Sequence, residues 1–170
     1  MLQKKICMLG SFSVGKTSLV RRFVESIFSD TYLTTVGVKI DKKVLRVGEQ
    51  DLTLMLWDLY GEDEFQRLRM SYLRGASGFL FVADGTRRAT LDKVLAIKEE
   101  AEKALGPANF IVALNKSDLA DQWEIEPEKE SGLVSRGWSV IRTSAKTGEG
   151  VEFAFESLAK AMLGSKSPAS

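Results

Sequence analysis

The run Gly10-Ser11-Phe12-Ser13-Val14-Gly15-Lys16-Thr17 constrains this chain more than any other segment. It fits the spacing G-x-x-x-x-G-K-[ST], follows the apolar stretch Ile6, Cys7, Met8, Leu9 and opens into Leu19, Val20, Phe23 and Val24 at helical spacing. Strand, glycine-bearing loop and helix in that order form a phosphate cradle. The glycines let the backbone wrap closely around phosphate oxygens, and the helix N-terminus offers unpaired N–H groups. Ser13, Val14, Gly15, Lys16, Thr17 and Ser18 are therefore read as phosphate-binding, with Lys16 a point charge for the β and γ phosphates and Thr17 a hydroxyl ligand for magnesium.

A chain of 170 residues with 44% hydrophobic content fits one domain, residues 1–164, followed by a short polar tail at 165–170. A domain of this size buries roughly 70% of its unfolded surface and needs no disulfide or structural metal. The single cysteine agrees, since Cys7 sits in an apolar run and cannot form an internal disulfide. With 24 basic and 23 acidic residues the charge is balanced, so nothing favours wholesale nucleic-acid or membrane binding. No signal peptide, membrane-spanning stretch or prenylatable tail cysteine is evident, which leads to the expectation of a soluble, unanchored, cytoplasmic protein.

The short apolar runs Phe79 to Ala83 and Phe110 to Leu114 read as strands buried on both faces. Val94, Ile97, Ala101 and Leu105 repeat at helical spacing between them, and Val151, Phe155, Leu158 and Met162 do so again near the end. This alternation predicts a six-stranded, mostly parallel α/β sheet with about five helices on both faces and a ligand at the carboxyl ends of its strands. Residues Val36 to Val47 and Leu52 to Trp57, joined by a turn at Gly48, Glu49 and Gln50, read as an antiparallel edge hairpin. The charged segment Glu124 to Arg136 reads as a solvated helix starting at Pro127, and Arg87 and Arg88 as exposed loop charges.

A phosphate cradle does not name the nucleotide; the base pocket does. Asn115-Lys116-Ser117-Asp118 directly follows a buried strand and fits N-K-x-D. A carboxylate at Asp118 accepts from the ring N–H and exocyclic amine of guanine, whereas adenine presents the wrong donor and acceptor pattern. Leaving that charge unpaired costs about 1 to 3 kcal/mol, enough to select guanine by an order of magnitude. Asn115 fixes the loop and the purine edge, the stem of Lys116 and the ring of Phe28 flank the base plane, and the Ala145 N–H of Ser144-Ala145-Lys146 reaches the guanine carbonyl.

With these elements in order, the chain resembles a Ras-superfamily G domain over residues 2–163, and within it the Rab-like branch. Thr34-Thr35-Val36-Gly37-Val38, Trp57-Asp58 with Gly61, and Ser71-Tyr72-Leu73-Arg74-Gly75-Ala76 carry the narrower likeness. The resemblance implies that Thr35 caps magnesium, that Asp58 contacts the ion through water, and that the Gly61 N–H meets the γ-phosphate. It implies a GTP/GDP switch, with effector proteins reading the switch regions and the apolar positions Ile40, Trp57 and Tyr72, and an exchange factor and an activating protein as regulators. The missing tail cysteine fits a chain trimmed at its end or a prokaryotic Rab-like relative.

The chain departs from the family where hydrolysis is most sensitive. Glu62 stands where a glutamine usually orients the attacking water, Phe12 is bulky in the phosphate loop, and Leu59 and Tyr60 replace a small Thr-Ala pair. Slow GTP hydrolysis is the expectation, with Lys16, Thr35, Gly61 and Glu62 as the residues around the reaction. A hydrolysis-deficient GTP-binding module is the alternative. A P-loop kinase of small metabolites is the third reading, opposed by Asn115 to Asp118 and by the lack of a basic lid segment.

Overall fold

The computed structural model describes residues 2–11, 14–24, 31–33, 38–59 and 71–164. Seven strands form one sheet: β1 (Leu2–Leu9), β2 (Thr31–Leu33), β3 (Val38–Val47), β4 (Gln50–Leu59), β5 (Gly78–Asp84), β6 (Asn109–Asn115) and β7 (Val140–Arg142). Their order is β2-β3-β4-β1-β5-β6-β7. β1 runs parallel to β4 and β5, and β6 parallel to β5 and β7. β3 is antiparallel to both of its neighbours. The expected six strands with one antiparallel member are thus present, and the three-residue β2 extends the sheet beyond β3. The complete described helices are α1 (Lys16–Val24), α2 (Arg88–Leu105), α3 (Pro127–Ser135) and α4 (Val151–Gly164), and residues 71–73 add a helical turn.

The strands alternate side chains between two buried faces, which explains why β5 is buried along its whole length. On one face Ile6, Met8, Leu54, Leu56, Leu80, Val82 and Ala113 meet Leu19, Val20 and Phe23 of α1 and Val151, Phe155, Leu158 and Met162 of α4. Phe23 and Phe155 stack with ring centroids 4.1 Å apart, joining the two helices over the sheet. On the other face Cys7, Leu9, Phe79, Phe81, Ala83, Val112 and Leu114 meet Leu91, Val94 and Ala101 of α2 and Leu133 of α3.

Three expectations are corrected. The hairpin turn has two residues, with Val47 opposite Gln50, and Gly48 takes φ 63° at the first central position as type II′ turns require. Leu105 is exposed at the end of α2, while Lys98 is buried on the helix face the sequence spacing assigned to apolar residues. Its ammonium lies 4.5 Å from the ring centroids of both Phe110 and Trp138 and pairs with Glu102 at 2.8 Å. Arg87 and Arg88 are exposed as expected, but they cap and open α2 rather than lying in a loop: Arg87 donates to Asp84 at 3.0 Å, and Arg88 pairs with Glu126 at 2.7 Å. A helix start needs acceptors for its own N–H groups, and Glu124 takes the Arg88 backbone N–H at 2.9 Å. α3 conforms to expectation, with Pro127 in its first turn and Leu133 alone buried among its residues.

Candidate nucleotide site

β1, β5, β6 and β7 end at one edge of the sheet, and the chain builds outward from β1 on one side and from β5 on the other. The carboxyl ends at that reversal are where an open α/β sheet places its ligand. β1 ends at Leu9, and α1 makes its first helical hydrogen bond from the Leu19 N–H to the Gly15 carbonyl at 2.9 Å. The N–H groups of Gly15, Lys16, Thr17 and Ser18 therefore lack acceptors within the helix. No acidic side chain occupies that first turn. Lys16 is buried, with Nζ 3.2 Å from the Gly10 carbonyl. Gly15 has φ 99°, and a Cβ there would stand 2.3 Å from Asn115 Nδ2, so any larger residue is both strained and obstructed.

Asn115 closes β6 and is itself buried. Its Nδ2 donates to the Val14 carbonyl at 2.9 Å, and its Oδ1 accepts from Thr143 Oγ1 at 3.1 Å. One side chain thereby joins the phosphate loop, the end of β6 and the segment after β7. Asp118 Oδ1 accepts from Ser144 Oγ at 2.7 Å, which fixes the carboxylate beside Ala145. Ser117 adds two links across the same gap, through its N–H to the Thr143 carbonyl at 2.9 Å and its hydroxyl to Glu149 at 2.7 Å. Arg22 reaches from α1 to the carbonyls of Lys146 at 3.4 Å and Thr147 at 3.1 Å. The result is a cleft of about 410 Å³ lined by Gly15, Ser18, Asn115, Lys116, Asp118, Leu119, Ala145 and Lys146. That size suits one small organic ligand. Asp118 is exposed at the cleft, so the desolvation that makes its charge a purine filter must come from a base packed over it.

Thr17 Oγ1 donates to Asp58 Oδ2 at 2.5 Å. Asp58 is fully buried, and its Oδ1 has no hydrogen-bond partner among the described residues. Burial pushes the carboxyl pKa up; the Thr17 hydroxyl and the charges of Lys16 and Lys39 oppose this, while Asp41 adds to it. A buried carboxylate with an unmatched oxygen beside a hydroxyl is a donor set that fits a hard divalent cation.

Phe12, Ser13, Phe28, Thr35, Tyr60, Gly61 and Glu62 lie outside the described residues. Val14, Gly15, Lys16, Thr17, Ser18, Asp58, Asn115, Lys116, Asp118, Ser144, Ala145 and Lys146 all lie at this edge. Leu59 is buried in the second core and sits opposite Val38, which ties its side chain to packing. Ile40 faces Trp57 across the β3–β4 ladder, and the Trp57 and Tyr72 rings are 5.9 Å apart. Lys5 Nζ sits 3.7 Å over the Trp57 ring and donates to the Tyr72 carbonyl at 2.6 Å. Sequence reasoning missed Leu119, Thr143, Arg22 and Asp84. Asp84 had a visible signal, the charge that ends the apolar run Phe79 to Ala83; Arg22 had none, because a helix-surface arginine is ordinary.

Fold and site together define a P-loop nucleotide-binding α/β protein. Residues 5–164 match the Ras family model. The chain is 36% identical over 162 residues to the Ras-related protein Rab-17 of Mus musculus, covering 94% of this chain and 75% of that protein. It is 30% identical over 161 residues to the Ras-related protein Rab-8B of Homo sapiens, covering 94% and 78%. The chain belongs to the Ras family and is a Rab-like, GTP-binding small GTPase. Among the described residues no helix is long and apolar enough to cross a membrane.

Proposed function

We propose that this chain is a guanine-nucleotide switch that binds GTP or GDP with magnesium and hydrolyses GTP slowly to GDP and phosphate. The observation that carries the reading is the shared cleft, in which the phosphate loop, Asp118 and Ala145 meet along one sheet edge. Ser13 to Ser18 hold the phosphates, Lys16 supplies charge, and Asp118 and Ala145 select guanine between Lys116 and Phe28. Thr17, Thr35 and Asp58 would hold magnesium, which when bound neutralises charge on the β and γ phosphates. The unmatched Asp58 oxygen beside Thr17 supports that assignment. Gly61 meets the γ-phosphate, and its loss with the Thr35 tether on hydrolysis releases the switch loops.

Slow turnover follows from Glu62, since a carboxylate beside the anionic γ-phosphate orients water less well than an amide. Effectors read the switch regions together with Ile40, Trp57 and Tyr72, whose half-buried side chains cluster on one face of β3, β4 and the turn after them. An exchange factor and an activating protein complete the cycle, residues 1–164 form the G domain with 165–170 as its tail, and the protein acts in the cytoplasm.

Identifying the nucleotide that copurifies and timing its hydrolysis in a single turnover tests the reading. Guanine nucleotide that converts to GDP slowly, and faster in Glu62→Gln, supports it. Equal retention of ATP and GTP sinks it. GTP that persists unhydrolysed for days in both forms favours the second reading, a binding module without useful hydrolysis, toward which Glu62 and Phe12 point.

A further inference from the structure

Asp84 ends β5 opposite Asn115 in the parallel ladder, one residue short of Lys116. It is 1% exposed and carries four donors on its two oxygens. Thr86 N–H and Oγ1 approach Oδ1 at 2.9 and 2.6 Å, while Arg87 Nε and Lys116 Nζ approach Oδ2 at 3.0 and 2.9 Å. Its backbone is held as well, the N–H donating to Thr90 Oγ1 at 2.8 Å. Asp84 is thus a fixed point, placed by the sheet and the first turn of α2.

Lys116 is the only non-glycine among the described residues with positive φ, 73°. It lines the cleft and is half-buried, so the stem of a long, flexible side chain forms part of the cleft wall. Such a stem makes a stable wall only when its far end is held. The ion pair spans the gap between the turn after β5 and the turn after β6. We infer that Asp84 is a positioning residue for the nucleotide site, anchoring the Lys116 ammonium so that its stem stays as one wall of the base cleft, and thereby slowing nucleotide release. This inference rests on the guanine-nucleotide reading of the same cleft. Burial raises the Asp84 pKa, and the hydrogen bonds from Thr86, Lys116 and Arg87 outweigh it, bringing it down to about 2. The anchor is therefore charged at any working pH.

The test is release of mant-GDP from the full chain, chased with excess GDP. Asp84→Asn is expected to release it about tenfold faster, the scale of losing one hydrogen bond to a charged group. Lys116→Met, which keeps the stem and removes the ammonium, is expected to accelerate release at least as much, and the double variant no more than Lys116→Met alone. Arg87→Ala, which removes another donor from the same oxygen without touching Lys116, is expected to stay within about twofold of the unmodified chain. Release from Asp84→Asn as slow as from the unmodified chain overturns the inference. So do accelerations that multiply in the double variant, or an Arg87→Ala effect equal to that of Asp84→Asn. If Asp84→Asn does not fold, Lys116→Met decides, and slow release from it overturns the anchor. An unmodified chain that fails to bind mant-GDP overturns the functional reading and the inference with it, whereas normal binding with an indifferent Asp84→Asn overturns the inference alone.

Discussion

Asn115 donates its side-chain amide to the carbonyl of Val14, 101 residues earlier, at 2.9 Å. A residue expected to touch the purine therefore also holds the phosphate loop, and its second bond, from Thr143, reaches the loop that carries Ala145. Asn115→Ala leaves a buried carbonyl and the buried Thr143 hydroxyl without these partners. The expected cost is about 2 kcal/mol or more in unfolding free energy, read by urea denaturation without nucleotide. A loss below about 0.5 kcal/mol would mean that the two loops hold each other without this side chain.

Gly15→Ala is expected to destabilise through the same contact. The position has φ 99°, and its Cβ would lie 2.3 Å from the Asn115 amide. Backbone strain alone is worth about 1 to 2 kcal/mol, and displacement of Asn115 adds to it. The two substitutions should therefore be sub-additive: combined with Asn115→Ala, Gly15→Ala should cost about 1 kcal/mol less than it does alone. Strict additivity in a double-mutant cycle would show that backbone strain is the whole effect.

The parts of the fold carried by uninterrupted apolar runs were legible in the sequence. Phe79 to Ala83 and Phe110 to Leu114 fall inside β5 and β6, because strands buried on both faces need no polar alternation. The three residues of β2 carry too little pattern to register, and they pair only once β3 presents an edge. Lys98 was invisible as a core residue, since a lysine is buried only where aromatic faces and a carboxylate receive its head, and the rings of Phe110 on β6 and Trp138 in the loop before β7 are distant in the chain. At the cleft, motif spacing pointed to most of the residues that line it, though not to Leu119, and not to those that hold them. Thr143 and Arg22 act over chain separations that no local pattern encodes, and Asp84, though marked by the charge that ends its apolar run, carries no local sign of its partner Lys116.

Cys7 is expected to be inert in the folded protein. It is buried on β1, and burial pushes its thiol up to about 12, with Lys5 only partly opposing that shift. The thiolate is the reactive form, so at pH 8 neither the access nor the ionisation that a disulfide reagent needs is present. Labelling with DTNB should proceed at the rate of global or subglobal unfolding and accelerate in urea. Rapid stoichiometric labelling of the native chain would show that β1 opens readily at its centre.

Asp84 should dominate part of the acid response. Its folded pKa lies near 2, below the ordinary 3.8 that the unfolded chain retains. A carboxyl with a depressed folded pKa contributes stability that is fully present above its unfolded value and is lost as pH falls through the folded one. The loss should therefore run from about pH 4 down to about pH 2 and amount to about 2 kcal/mol. Asp84→Asn, which has no such proton to bind, should be less stable than the unmodified chain by about that amount at pH 7. The gap should close as the pH is lowered through this window in matched urea titrations. A difference that stays constant with pH would place the stabilising role of Asp84 in packing rather than in its charge and the four donors that surround it.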